Sequence, residues 1–445
     1  MKLWDKGVQV DKKIEQFTVG MDRELDLELA AFDVLGSLAH IEMLQSIGLL
    51  EKKELKLIQE ELRKIYSSIK NDAFVIEDGI EDVHSQIEYL LTQALGDIGK
   101  KIHSGRSRND QVLLDLKLFT RNKLEEIVRE ARLLFDLLIE KSNTYKDVLI
   151  PGYTHLQVAM PSSFGLWFGS YAESLTDDLL VLQSAYKVVN QNPLGSGAGY
   201  GSSFPLNRQM TTDLLGFDNL SYNVVYAQMG RGKMEFTVLS ALANMAMTIA
   251  KLAMDACLYN SQNFNFLSFP DELTTGSSIM PHKKNPDVFE VIRANANALQ
   301  MLPAQIQAVT SNLPSGYHRD YQLTKEFFMP SFDKMLSCLE MTRIMLSEVK
   351  INEEVLNDER YQYLFTVEEV NKMVVDGVPF RDAYKKVGQL VEEGAFKHEG
   401  EINHVHEGSL GNLCNDRIVC KMNETFVAFN FHKTKEAYMN LLNRI

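Results

Sequence analysis

Residues 274–293 (TTGSSIMPHKKNPDVFEVIR) bring hydroxyl, cationic and amide side chains into one short stretch. Ser277 follows a glycine that lets the backbone turn, and Lys283 and Asn285 supply donors suited to an anion. Two prolines disfavour helix in the residues before them, so we expect an irregular loop that feeds a helix near Pro286, with Asn285 as its N-cap. This composition suits a loop that binds negative charge. The spacing alone also fits a solvated surface turn.

A second group of polar residues lies in KKIHSGRSRNDQV, residues 100–112. Arg108 stands in a glycine-containing turn, and its guanidinium group has the geometry to bind a carboxylate. Asn109 and Asp110 are expected to cap the helix that follows. The residues by themselves leave two interpretations open, a carboxylate-binding site or a basic surface turn with neighbouring ion pairs.

Two further stretches contain residue types that could do chemistry. In GYTHLQVAMPSS, Thr154 and His155 lie between a Pro-Gly turn and Pro161, where side chains can reach a ligand, although a lone histidine beside a turn is also common as a structural residue. The glycine-rich residues 192–208 follow a predicted helix and lack the GxxxxGK[ST] ending, so we exclude nucleotide binding there. We expect His404, His406 and the residues near them to be exposed loop residues and not a metal site.

Helical periodicity dominates the elements that must position these residues. Leu124, Ile127, Ala131, Leu134 and Leu138 follow 3,4 spacing and predict one helix from Gln111 to about Ser142 with a bundle seam. Helices are also predicted for 22–50 with an interruption at Gly36-Ser37, and for 53–69, 77–96, 164–189, 232–259, 288–310 and 325–349.

Strand signals are scarce, so we predict an all-α fold of three helical domains. The predicted domains are an N-terminal helical domain (1–107), a central long-helix bundle (108–355) and a small C-terminal helical domain (356–445).

Composition limits the classes of partner and the compartment. The formal net charge of −14 argues against nucleic acid or an anionic membrane as the main partner. Four cysteines without Cys-x-x-Cys spacing favour a reducing cytoplasm, and the residues MKLWDKGVQVDKKIEQF contain no apolar core of signal-peptide length. The 15 uncharged residues between Glu235 and Lys251 fall below the ~18 needed for a membrane span.

Several motifs together resemble a known enzyme family. GSSIMPHKKNPD resembles the signature of the fumarase/aspartase superfamily, and SGRSRNDQV, GYTHLQ, NPLGSGA and residues 313–326 (LPSGYHRDYQLTKE) resemble its argininosuccinate lyase branch. The resemblance implies elimination of fumarate from argininosuccinate in arginine biosynthesis, without a metal or other cofactor. It also implies a cytoplasmic homotetramer whose active sites are shared between subunits, with a small-molecule substrate and neither nucleic acid nor membrane as a partner.

The same resemblance assigns roles to individual residues. Ser277 would be the base, supported by Lys283, while His155 would help to protonate the leaving nitrogen and Glu290 would orient its ring. The residues implied in substrate binding are Ser37, Arg108, Asn109, Thr154, Asn285, Tyr317, Gln322 and Lys325.

Three alternatives remain open on the sequence. His282 stands where argininosuccinate lyases usually have Gln, and the resulting MPHK is similar to adenylosuccinate lyase. The altered stretch around Arg231 is compatible with an N-acylated argininosuccinate as substrate. A catalytically silent structural protein similar to the delta-crystallins is the alternative of a different class.

Overall fold

The computed structural model describes residues 11–398, 400, 402 and 404–443. Residues 1–10, on which the expectation about a signal peptide partly depends, lie outside the described residues. The N-terminal half contains helices α1 (Lys12–Val19), α2 (Asp22–Ser46), α3 (Lys52–Lys70), α4 (Val83–Leu95), α5 (Asp97–Lys100), α6 (Arg108–Thr144), α7 (Phe164–Val189) and α8 (Arg208–Leu214).

The remaining helices are α9 (Val224–Met229), α10 (Lys233–Tyr259), α11 (Asp287–Gln300), α12 (Leu302–Thr310), α13 (Gln322–Ser347), α14 (Thr366–Val375), α15 (Phe380–Glu392), α16 (Asn415–Val427) and α17 (Phe431–Asn443). The strands are β1 (Leu149–Thr154), β2 (Gln157–Ser163), β3 (Gln191–Asn192), β4 (Asn219–Leu220), β5 (Leu267–Ser268) and β6 (Lys350–Ile351). Helices therefore dominate the fold, as predicted.

A bundle of long helices forms the largest core. α10 packs against α7, α11, α12 and α13, and α6 packs against α7 and α13. Although α10 is long and apolar enough to span a membrane by length and composition, its packing is that of a core helix. The predicted seam of α6 is confirmed, because all five of its residues from Leu124 to Leu138 are fully buried.

The ends of two helices differ from the prediction. Ser107 is the N-cap of α6: its hydroxyl accepts from the Asn109 amide, and the Asp110 carboxylate accepts from the Ser107 amide. Asp110 therefore contributes to the cap, as expected, from the third position of a capping box, whereas Ser107 and not Asn109 is the N-cap. α11 begins at Asp287, so Asn285 is not its N-cap.

The single helix predicted for 288–310 is two helices. α11 ends at Gln300 and α12 begins at Leu302, with Pro303 in its first turn. A proline interrupts a continuous helix because it lacks an amide donor, whereas the first turn of a new helix tolerates it.

The predicted interruption at Gly36 is also wrong, since α2 is continuous from Asp22 to Ser46. A Cβ at Gly36 would lie 2.6 Å from the Leu114 Cδ2 atom. Glycine here allows α2 to approach α6 closely.

Thr154 and His155 belong to a β-hairpin that the sequence did not predict. β1 and β2 pair antiparallel from Leu149 opposite Ser163 to Thr154 opposite Gln157. His155 and Leu156 form the turn, with φ values of 53° and 57°. The hairpin thus presents His155 at an exposed tip.

Smaller cores lie on either side of the bundle. One joins α2, α3, α4 and part of α6 to residues of α17, and another lies within α14, α15 and the segment that follows. α16 packs on α7, and α17 packs on α2 and α8. The domain limits at 107 and 355 remain predictions.

Candidate active site

A cavity of about 160 Å³ lies where α2, the start of α4, the start of α6 and the start of α13 meet. Five of the predicted substrate-binding residues line it: Arg108, Asn109, Tyr317, Gln322 and Lys325. The other lining residues are Asp22, Asp26, Glu81, Asp82, His84, Val112, Arg231 and Arg319. Residues distant in sequence are thus assembled into one polar pocket within a single chain.

The cap at Ser107 places Arg108 and Asn109 in the first turn of a long helix, where free amide groups favour an anion. The Arg108 guanidinium contacts the residues at the start of α4. Its Nη1 atom lies 3.1 Å from Glu81 Oε2 and 3.2 Å from Asp82 Oδ2, and its Nη2 atom donates to Ser85 Oγ at 2.7 Å. Arg108 is therefore held by side chains of its own chain.

Lys325 is a buried cation with two carboxylate partners. Its Nζ atom lies 2.5 Å from Asp22 Oδ1 and 2.7 Å from Asp26 Oδ1. Burial alone would lower the pKa of Lys325, but the two carboxylates raise it above its usual value. Burial, with repulsion from Asp26, raises the pKa of Asp22 to about 6 despite the attraction of Lys325. The lysine is charged at neutral pH.

The segment before α13 is anchored to the end of α1. Gln322 Nε2 donates to the Thr18 carbonyl at 2.9 Å and to the Val19 carbonyl at 2.5 Å. Arg319 donates to the same Thr18 carbonyl and pairs with Glu81. Tyr317 remains exposed at the cavity wall.

Ser37 does not line this cavity. Its side chain is fully buried, donates to Asp33 Oδ1 at 3.2 Å and accepts from Arg106 Nη1 at 3.1 Å. Within one chain, Ser37 therefore links Arg106 to Asp33 in a buried hydrogen-bond network. Its direct contact with a substrate stays a prediction.

The loop that contains Ser277 is closed at its neck by a short bridge. The Asn285 amide donates to the Thr275 carbonyl at 2.8 Å, and the Asn285 side chain donates to the Thr275 hydroxyl and the Gly276 carbonyl. Asn285 thus holds the loop together and has no role in capping α11.

Within the loop, the Ser277 Oγ atom accepts from the amides of Ile279 at 3.3 Å and Met280 at 3.1 Å. Lys284 pairs with Asp271, whereas Lys283 is exposed and has no ion-pair partner among the described residues. The loop therefore offers a hydroxyl oxygen beside amide donors, and a lysine that is available to another group.

The remaining predicted residues lie apart from the cavity. Thr154 and His155 are exposed on the hairpin, and Glu290 is exposed on α11. In the part of the chain that the structure describes, no hydrogen bond joins His155 to Glu290. The cavity wall includes neither these residues nor Ser277, Lys283 and Asn285. One chain therefore separates the predicted site into a binding cavity and an exposed set.

Sequence reasoning missed His84, which lines the cavity from the first turn of α4. His84 Nδ1 bonds to Asp33 Oδ2 and lies 3.6 Å from Asp115 Oδ2. Burial would lower the pKa of His84, but Asp33, Asp82 and Asp26 raise it above its usual value. The signal available in the sequence was a histidine shortly after the acidic residues Glu81 and Asp82, because a buried charge requires a partner of opposite charge.

Arg231 also lines the cavity, and the sequence left its place undecided. Its side chain is buried, with Nη2 donating to the Tyr321 carbonyl at 3.1 Å and Nε lying 3.5 Å from Glu235 Oε1. Arg231 therefore contributes a positive charge to the wall of the cavity.

Potential metal ligands occur close together at one place in the described residues. Asp33, His84 and Asp115 each offer a ligand atom, and these atoms lie within 4.8 Å of one another. In the C-terminal region, His398 pairs with Glu369 at 2.8 Å and His404 with Glu368 at 3.0 Å. These two histidines are partly buried and lie within hydrogen-bond distance of their carboxylates, which corrects the expectation that they are exposed, whereas His406 is exposed as expected.

Comparisons with known proteins indicate the family and the fold of the chain. Residues 5–300 match the protein-family model described as a lyase. An argininosuccinate lyase from Bacteroides fragilis is 63% identical over 443 residues, which cover 100% of this chain and 99% of that protein. One from Parabacteroides distasonis is 63% identical over 442 residues and 99% of both chains. The solved structure of an EDDS lyase variant with bound fumarate has a TM-score of 0.76 at 20% identity, covering 98% of this chain and 94% of the other, and supports the fold.

Proposed function

The chain belongs to the argininosuccinate lyase family, and on this premise we propose that it splits argininosuccinate into arginine and fumarate. The assembly of Arg108, Asn109, Tyr317, Gln322 and Lys325 around one cavity is the observation that carries the proposal. Arginine and lysine suit the carboxylates of such a substrate, and the neighbouring acidic groups suit its cationic parts. The reaction is a carbon–nitrogen bond cleavage that yields arginine, so it belongs to arginine biosynthesis.

The first difficulty of the reaction is a weakly acidic proton on the carbon beside a carboxylate. Its removal places a second negative charge on that carboxylate, so the site needs donors directed there in advance. We assign Ser277 as the base. The two amides that donate to its Oγ atom would stabilise an alkoxide, and no ion pair to another described residue competes for the charge of Lys283.

The second step is departure of the nitrogen. The electron pair of the broken C–H bond forms the C=C bond of fumarate, the C–N bond breaks, and the nitrogen takes up a proton. We assign His155 to assist this protonation and Glu290 to orient its ring. Thr154 belongs to the exposed set, Asn285 is half-buried at the neck of the Ser277 loop, and both would contact the substrate from that side.

The exposed set and the cavity must meet for this chemistry to occur. We propose that copies of the chain complete each other's sites in a homotetramer. Exposed apolar side chains on the bundle helices, among them Met247 and Met254 on α10 and Val291 on α11, support packing between copies. Sedimentation velocity tests this, and an active monomer would contradict it.

We place the enzyme in the cytoplasm. Its four cysteines are all free, as a reducing compartment requires. The chemistry proposed above uses acidic, basic and cationic side chains of the described residues together with the two backbone amides that donate to Ser277.

The deciding assay follows fumarate by its ultraviolet absorbance, with argininosuccinate and adenylosuccinate supplied separately to the purified protein. We expect release from argininosuccinate only. Release from adenylosuccinate alone would reverse the choice of substrate. No fumarate release from either substrate would refute the proposal. An N-acylated argininosuccinate would then be tested as the substrate, and a structural protein without activity would be the remaining alternative.

A further inference from the structure

His84 connects three helices beneath the cavity. It lies in the first turn of α4, and its Nδ1 atom faces Asp33 on α2 and Asp115 on α6. The side chain is 6% exposed, and the two carboxylates are still more deeply buried. Asp115 Oδ2 is buried without a hydrogen-bond partner among the described residues and lies 3.6 Å from the ring nitrogen. Burial and the neighbouring Asp33 raise the pKa of Asp115 well above its usual value, so Asp33 is the carboxylate that pairs with the ring.

The same turn of α4 holds Arg108. Asp82, the N-cap of α4, accepts from the Ser85 amide at 2.8 Å and from the Ser85 hydroxyl at 2.6 Å. The Ser85 hydroxyl in turn accepts from Arg108 Nη2, while Asp82 Oδ2 lies 3.2 Å from Arg108 Nη1. A movement of this turn would therefore move the Arg108 guanidinium.

Charges from every neighbouring element decide the state of the His84 ring. Asp26 and Asp33 face it from α2, Asp82 from the α4 cap and Asp115 from α6. Arg106, before α6, is the opposing cation. The direct bond to Asp33, with Asp82 and Asp26 nearby, favours a protonated imidazole, although Arg108 and Lys325 also pair with Asp82 and Asp26.

We propose that His84 is a positioning residue for the lyase reaction. Its ring bonds to Asp33 beside Asp115 and thereby fixes the first turn of α4. In this position of the turn, Asp82 and Ser85 hold Arg108 where it can bind a substrate carboxylate. This inference rests on the proposed function. His84 acts through Arg108 and need not touch the substrate.

A divalent cation is the competing occupant of the same three ligand atoms. Arg106 argues against it, because its guanidinium donates to the Ser37 hydroxyl, which itself donates to Asp33. A fixed positive charge at this distance disfavours a second one.

The test uses the full-length protein carrying His84→Asn. The asparagine amide keeps a donor near the position of Nδ1 but cannot carry charge. We expect a fall in kcat/KM of about tenfold or more, chiefly as a higher KM, the size expected for the loss of one charge-assisted hydrogen bond. His103→Asn is the matched control, since His103 also pairs with a carboxylate of α4, Glu88, outside the cavity, and its kinetics should be unchanged.

A double-mutant cycle with Arg108→Lys separates positioning from a general loss of structure. If His84 acts through Arg108, the kcat/KM of the double variant should be close to that of the less active single variant, because both substitutions remove the same interaction. Multiplicative losses in the double variant would overturn the inference, and so would a wild-type KM in His84→Asn. Wild-type activity that a chelator abolishes and Mn²⁺ restores would overturn it in favour of a cation. Absence of wild-type turnover would refute the proposed function itself.

Discussion

Replacement of Lys325 by methionine tests a buried charge cluster in the wall of the cavity. Methionine keeps much of the length and apolar volume of the side chain and removes only its charge. Asp22 and Asp26 would then face each other without their shared cation, at side-chain exposures of 19% and 4%. Removing one partner of a buried pair typically costs ~3–5 kcal/mol. Because Asp22 retains contact with water, we expect the lower end, about 3 kcal/mol at neutral pH.

The assay is thermal unfolding at a fixed protein concentration, because assembly would otherwise shift the midpoint. Unfolding entropies of about 2.1 cal/mol/K per residue, over a chain of 445 residues, convert this loss to a fall in Tm of about 3 °C. The loss should depend on pH. Burial and repulsion raise the folded-state pKa of Asp22 to about 6, and the variant removes the cation that lowers it. Asp22 should therefore destabilise the fold above that pKa, and the penalty should shrink as pH falls through it.

Two controls make the result interpretable. Lys421→Met removes an exposed pair with Glu173, and it should leave Tm unchanged. Lys325→Met combined with Asp26→Asn should recover part of the lost stability, because only one carboxylate remains. A Tm equal to that of the wild type, or a penalty that grows toward acid pH, would refute the reasoning.

Three further predictions concern catalysis, packing and pH. Ser277→Ala should lower kcat by ~10²-fold or more if Ser277 is the base, and near-normal turnover would remove it from that role. Gly165→Ala should lower the free energy of unfolding by ~1–3 kcal/mol, because the new Cβ would lie 2.6 Å from the Lys146 Cα atom. Gly388→Ala has open space around its Cβ and should raise the free energy of unfolding by ~0.5–1 kcal/mol. Calorimetry that shows equal effects of the two substitutions would contradict both predictions. The folded-state pKa of His84 is raised, so the stabilisation that His84 contributes should be complete below about pH 6.5 and should decline at higher pH as the ring deprotonates. The Tm difference between the wild type and His84→Asn should therefore narrow with rising pH. A difference that widens with rising pH would contradict this prediction.

Helical periodicity was sufficient to predict the bundle. The helix expected for 164–189 spans those residues, and the seam of α6 is buried throughout. The hairpin at Thr154 could not be read in this way, because it depends on pairing between two strands and on two non-glycine residues with positive φ. Local steric effects also decided the break before Pro303.

The cavity shows the same division between local and distant information. The motifs around Arg108 and Lys325 were recognisable in the sequence, but the acidic wall was not. Lys325 and Asp26 are 299 residues apart, and neither stretch alone indicates that they pair. The sequence therefore predicted several residues that line the cavity, whereas the carboxylates that hold them became visible only in the folded chain.

If copies of the chain complete each other's sites as proposed, the separation of the cavity from the loop of Ser277 makes the substrate bridge two chains. In a shared site, a ligand that contacts both parts binds the assembled protein and leaves the isolated chain largely unrecognised. Each occupied site then adds RT ln(1 + [L]/Kd) to the free energy of assembly, about 2.7 kcal/mol at a ligand concentration of 100 times Kd. Dilution should consequently dissociate the empty protein first, and a newly synthesised chain should be catalytically silent until it finds its neighbours.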